Sequence, residues 1–216
     1  MKVNSILRGV AIHFVTTEIP PDLFITDLVH GIQQRYRFFE VPTKASELDP
    51  SSGVQFQLGK FRDTIITKLS IYENGFSAEA AADTATVDEF LDDIASWSAS
   101  EFAVTNKAID PVSRVYLSSL EVESDIDFSP QLDKLAAVRR TLHEMLTSDG
   151  FTIEPYDFNG FSLQVDHQPE PKPLRPSRFA FERRVGRPFS ENIYYSEAPL
   201  STQNHLRLLE KLEASF

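Results

Sequence analysis

Four carboxylates, Glu121, Glu123, Asp125 and Asp127, fall at alternate positions. In an extended segment all four side chains would project from one face. Clustered carboxylates are what Mg²⁺ and Ca²⁺ require. Same-face neighbours on one strand, however, stand roughly 6.5–7 Å apart, too far to chelate one ion without help from other strands. The simpler expectation is an acidic strand facing solvent or a partner. A second acidic group, Asp88, Glu89, Asp92 and Asp93, suits the opening turns of a helix, whose N-terminus carries partial positive charge.

The opposite charge gathers between positions 172 and 187, where Lys172, Arg175, Arg178, Arg183, Arg184 and Arg187 face one acid, Glu182. Three chemistries fit. The cations can pair with acids, either those at 121–127 or a partner's. They can hold an anionic ligand. With Phe179 and Phe181 interleaved, they can also form a stacking platform for single-stranded nucleic acid. Strand parity favours the first: Phe179, Phe181 and Arg183 share one face, while Glu182 and Arg184 take the other.

The five histidines, His13, His30, His143, His167 and His205, show no metal-ligand spacing. His13 lies in an apolar strand, where a satisfied buried histidine is commoner than a catalytic one. G-x-S-x-G, P-loop, G-x-G-x-x-G and H-E-x-x-H motifs are all missing. Trp97 and the run Tyr194-Tyr195-Ser196 could line a pocket, although such aromatics more often anchor helices on a sheet. The sequence calls for no catalytic residue, metal or cofactor.

The chain has no cysteine, which removes disulfides, thiolate metal sites and cysteine nucleophiles together. Its net charge of −11 favours solubility and works against non-specific binding to nucleic acid or membrane. No apolar run is long enough to span a bilayer, and the polar N-terminus does not resemble a signal peptide. The expectation is a cytoplasmic protein.

These residues must be positioned by an α+β fold. Strands are expected at 6–15, 36–41, 54–58, 64–72, 76–82, 115–126, 151–154, 161–165, 178–185 and 191–196. Helices are expected from Pro20-Pro21-Asp22 to about Arg35, from a capping box at Thr86–Glu89 through Trp97, from Ser129-Pro130 to Asp149-Gly150, and from Ser201 or Thr202 onward. The segment 98–113 reads as a connector and 167–176 as a Pro-rich extended stretch. Asn74-Gly75 supplies a hairpin turn.

The order strand, helix, strands, hairpin, helix occurs twice. Local details match as well: Pro21 with Pro130, Glu40 with Glu154, Gln57 with Gln164, and Thr86 with Thr202. The expected architecture is therefore two α+β halves, 1–108 and 109–216, packed as one pseudo-symmetric unit. Mostly antiparallel sheets would be covered by about four helices, with a groove along the shared axis. The function expected from this is a non-catalytic protein-binding or assembly subunit whose partner is another protein or a second copy. The alternative is a sensor of an anionic small molecule held in the groove by Arg183, Arg184 or Arg187. A metal-dependent hydrolase built on Asp125 and Asp127 and a nucleic-acid binder are weaker readings.

Overall fold

β1, Lys2–Glu18, pairs antiparallel on both sides, with β4 (Gly75–Ala80) and with β6 (Arg114–Glu123). Its far end also pairs with β5 (Thr105–Ala108). The β-branched and apolar residues of Val10–Val15 suit a pleated strand flanked on both sides. The computed structural model describes residues 1–109, 113–128, 136–150, 152, 157–165 and 176–215. Among these, nine strands form one sheet: eight in the order β2 (Val54–Phe61), β3 (Thr64–Tyr72), β4, β1, β6, β9 (Ile193–Ala198), β8 (Phe179–Arg183), β7 (Gly160–Leu163), with β5 off this path on the end of β1. Outward from the central β1–β6 pair, β4-β3-β2 lies on one side and β9-β8-β7 on the other.

Hairpin chemistry follows the sequence. Gly75 takes φ +152°, and a Cβ there would lie 2.1 Å from the carbonyl oxygen of His13, so only glycine fits. Gly9 on β1 is equally constrained, because a Cβ would fall 2.3 Å from the carbonyl oxygen of Ala82. This close approach seats the second helix on the sheet.

Three helices pack on one face. α1 (Ile25–Tyr36) buries Leu28, Val29, Ile32 and Tyr36. α2 (Thr84–Phe102) buries Val87, Phe90, Leu91 and Ile94. α4 (Thr202–Glu213) buries His205 and Leu209. Beneath α1 and α2 lies a core containing Phe56, Ile66, Leu69 and Ala11, and beneath α4 a second containing Leu120, Val122, Phe181 and Tyr194. Fully burying each of the larger side chains contributes roughly 1.5–3 kcal/mol. α3 (Ala136–Ser148) differs: Val138, Leu142 and Met145, read as its buried side, are 63%, 39% and 62% exposed.

Several expectations need correction. Pro20 and Pro21 do not start α1. They form a turn closed by the Leu23 amide on the Pro20 carbonyl, and Phe24, 72% exposed, is the N-cap. Residues 36–41 are not a strand: Tyr36 ends α1, Arg37 turns left-handed, and Glu40 makes a single bridge to Gln57. The capping box at Thr86–Glu89 is not formed. Asp83, another favoured cap residue, accepts from the Thr86 amide at 2.7 Å, and Glu89 pairs with Arg62 instead. The connector at 98–113 contains the end of α2 and all of β5. The helix start at Ser129-Pro130, the strand at 151–154 apart from Thr152, Glu154, and the Pro-rich stretch with His167, Lys172 and Arg175 lie outside the described residues.

Candidate functional site

The two charge clusters named from sequence meet each other. Arg183 is 4% exposed and donates to Asp127 at 2.8 Å, to the Asn192 side chain at 3.1 Å and to the Phe189 carbonyl. Its guanidinium also lies over the Tyr194 ring. Arg184 donates to Glu121 at 3.0 Å, and Glu123 lies 3.5 Å from Lys2. Arg178 and Arg187 pair with Glu182 and Glu191. The four carboxylates do not share one face, because β6 ends at Glu123 and Asp125 and Asp127 lie beyond it. Among the described residues no group of acids and histidines is arranged to hold a metal ion.

Register separates the two faces of the sheet. Ala11, His13, Tyr116, Ser118, Leu120, Ser196 and Phe181 point toward the helices. The opposite face carries Val10, Ile12 and Phe14 of β1 beside Val115 and Leu117 of β6, all half-buried. None of the helices α1, α2 and α4 packs there. Around this apolar row lie Arg8, bonded to Glu79 at 2.5 Å, and Glu197, which accepts from Ser119 at 3.0 Å and Tyr195 at 2.8 Å. Lys60 and Lys68 occupy β2 and β3 on the same side. Among the described residues neither lysine has a carboxylate within 4.0 Å, and Glu197 has no cation that close. A recess of about 160 Å³ between Arg8, Lys68 and Tyr72 has room for one protruding side chain.

On the helix face, a groove of about 670 Å³ opens between the N-termini of α2 and α4. Ile6, Ala85, Tyr116 and Leu206 line it with Asp83 and Asp88. At its base the two helices bond reciprocally: the Thr84 amide donates to the Thr202 hydroxyl at 3.0 Å, and the Thr202 amide to the Thr84 hydroxyl at 2.9 Å. Two of the four N-terminal amides that each helix leaves unpaired are met by Asp83 or Ser201 and by this exchange. The cationic residues Arg183, Arg184 and Arg187 do not line the groove.

Two polar networks flank it. Asp88 accepts from His13 Nε2 at 2.7 Å, from Arg114 at 2.5 Å and from the Tyr116 hydroxyl at 3.2 Å, tying α2 to β1 and β6. Burial, then the Asp88 charge, raises the Tyr116 hydroxyl above its ordinary pKa. The other network is fully buried: His205 Nδ1 lies 2.7 Å from Ser118 Oγ, and Nε2 lies 2.8 Å from Ser196 Oγ. Ser196 gives its proton to the Ala180 carbonyl at 3.2 Å. It therefore accepts from Nε2–H, and Nδ1 accepts from Ser118. Burial lowers the His205 pKa to about 4, so the ring is neutral at pH 7. Spacing rules could not bring in Ser118, which lies 87 residues before His205 and 78 before Ser196, whereas Ser196 is only nine residues from the histidine. Trp97 packs against Tyr36 and Phe102, as an anchor of α2.

Compared with family models, curated proteins and solved structures, the chain matches none.

Proposed function

We propose that this chain is a non-catalytic protein-binding or assembly module that acts through the open face of its sheet. One observation carries the reading: the row Val10, Ile12, Phe14, Val115 and Leu117, at the centre of the sheet, is left without a covering layer among the described residues. An apolar centre inside a polar, ion-paired rim is the anatomy of a protein interface. His13, His205, Asp88, Asp127 and Glu121 are each engaged in bonds that hold strands and helices together, which suits structural roles.

The test is lysine acylation in fresh extract of the source cells compared with dilute purified protein. Lys60 and Lys68 should be protected in the extract, while Lys211, on α4 at the other side of the sheet, reacts equally in both. Equal reactivity of Lys60 and Lys68 in the two samples refutes the reading.

We also read the chain as two copies of one unit, β1-α1-β2-β3-β4-α2 and β6-α3-β7-β8-β9-α4. Support comes from register. Gly9 pairs with Ala80 and Ser118 with Ala198, and Gly9 and Ser118 face each other. Asp83 and Ser201, each three residues after that alanine, cap their helices, and Thr84 and Thr202 follow as the reciprocal pair. This alignment matches Thr202 with Thr84 rather than Thr86. The polar trio Ser118, Ser196 and His205 then occupies the places held in the first unit by Gly9, Ala78 and Val87.

The groove supports a second reading, a small-molecule sensor. Its volume suits an organic ligand, and its charged lining consists of Asp83 and Asp88. That lining fits a hydrogen-bond donor or amine better than an anion. A thermal-shift screen of amines against organic acids tests it, and an absence of any shift that Asp88→Asn abolishes removes it.

A further inference from the structure

We propose that the layer covering the open sheet face is a second copy of this chain, stacked face to face; this rests on the binding reading above. Size is the first argument. Eight strands side by side at about 4.8 Å, each roughly 20 Å long, present about 700 Å². A stable interface buries about 800 Å² per partner, so one copy of the sheet is close to the area another needs.

Charge is the second. The chain carries −11, so most pairs of surfaces on two copies repel. The open face is close to balanced, and its charge is segregated. Lys2, Arg8, Lys60 and Lys68 outnumber Glu79 on the β2-β3-β4-β1 side. Glu121, Glu123, Glu182 and Glu197 outnumber Arg178 and Arg184 on the β6-β9-β8 side. Such a face is complementary to itself under one operation only: a two-fold axis between the sheets and parallel to the strands. That axis lays the basic half of one copy over the acidic half of the other. It also stacks the central apolar rows at the roughly 10 Å spacing of packed sheets. An in-plane axis across the strands would instead oppose like charges. Lys60 and Lys68 without an acid, and Glu197 without a cation, are the groups the stack would pair.

Sedimentation equilibrium of the purified chain from 1 to 300 µM at low and high salt tests this. The expected result is a dimer that weakens with salt. Lys68→Glu should raise its dissociation constant about tenfold, since the charge pair occurs twice. Lys68→Glu combined with Glu197→Lys should return it to within about threefold of the starting value. Leu117→Asp, with helix and sheet content checked by circular dichroism, should be monomeric. If Leu117→Asp does not fold, the charge-swap pair decides. A chain that is monomeric at 300 µM overturns the proposal, as does a dimer indifferent to both Lys68→Glu and Leu117→Asp. If the chain is monomeric while Lys60 and Lys68 remain protected in extract, the partner is a different protein and only this inference fails. If those lysines are unprotected as well, the binding reading falls with it.

Discussion

Replacing His205 by valine should change how stability responds to pH as well as lowering it. The buried imidazole titrates near 4 when folded and near 6.5 when unfolded. A base whose folded pKa is depressed leaves the unfolded state binding more protons across that window, so stability rises with pH there. The wild-type fold is therefore at full strength above pH 6.5. It loses about 1.4 kcal/mol per pH unit below that and levels off below pH 4, a total of about 3 kcal/mol from this residue. At pH 5 the share already lost is about 2 kcal/mol. His205→Val removes that dependence but strands the Ser118 and Ser196 hydroxyls, at about 1–3 kcal/mol for each buried group left unpaired. Ser196 keeps its bond to Ala180, so its share lies at the low end. At pH 7.5 the variant should be less stable than wild type by about 2–4 kcal/mol, and at pH 5 the gap should shrink by about 2 kcal/mol. Ser118→Ala and Ser196→Ala added to His205→Val should recover most of the loss at pH 7.5, because an all-apolar trio strands nothing. Urea unfolding followed by circular dichroism at pH 7.5, 6 and 5 measures each quantity. A gap that is the same at pH 7.5 and pH 5 would refute the reasoning, since carboxylates that titrate in both proteins cancel in the difference.

Three further outcomes follow from the same geometry. Asp83→Ala should cost about 1 kcal/mol by thermal unfolding and Thr86→Ala much less, because Asp83 supplies the cap; equal losses would place the cap wrongly. Thr84→Ala and Thr202→Ala should each cost about 1–2 kcal/mol by chemical denaturation, since each removes the acceptor of one buried amide; a neutral result for either would contradict the reciprocal pair. Arg183→Lys should lose about 2–4 kcal/mol despite keeping its charge, because one ammonium cannot reach Asp127, Asn192 and the Phe189 carbonyl together; a neutral result by chemical denaturation would show that the fork is dispensable.

Much of the local order was legible in the sequence. Alternating apolar and polar residues marked β2, strands were also expected over or overlapping β3, β8 and β9, Asn74-Gly75 marked the hairpin, and Ser201 or Thr202 marked the start of α4. These signals are short-range: a pleat sorts neighbours to opposite faces, and a turn needs one permissive residue. Parity even placed Arg183 on the same face as Phe179 and Phe181. Errors arose where two local solutions were equally good. Asp83 and Thr86 are both acceptable caps, and burial of Thr84 against Thr202 selects the first. Pro20-Pro21 can open a helix or close a turn, and the turn won.

The candidate surfaces depend on partners that adjacent residues cannot reveal. Val10, Ile12 and Leu117 look like ordinary strand interior in sequence. They become an uncovered row only because α1, α2 and α4 all pack on the other side of the sheet. The acidic and basic segments announced a charge match, yet which carboxylate meets Arg183 depends on where β6 ends and the chain turns. By itself the sequence determined strand periodicity, turn positions and the absence of cysteine chemistry. Tertiary structure alone decided the strand order, the open face, and the pairing of His205 with Ser118 and Ser196. The reason is range: alternation and capping act over a few residues, whereas sheet order and buried hydrogen bonds join groups more than 100 positions apart.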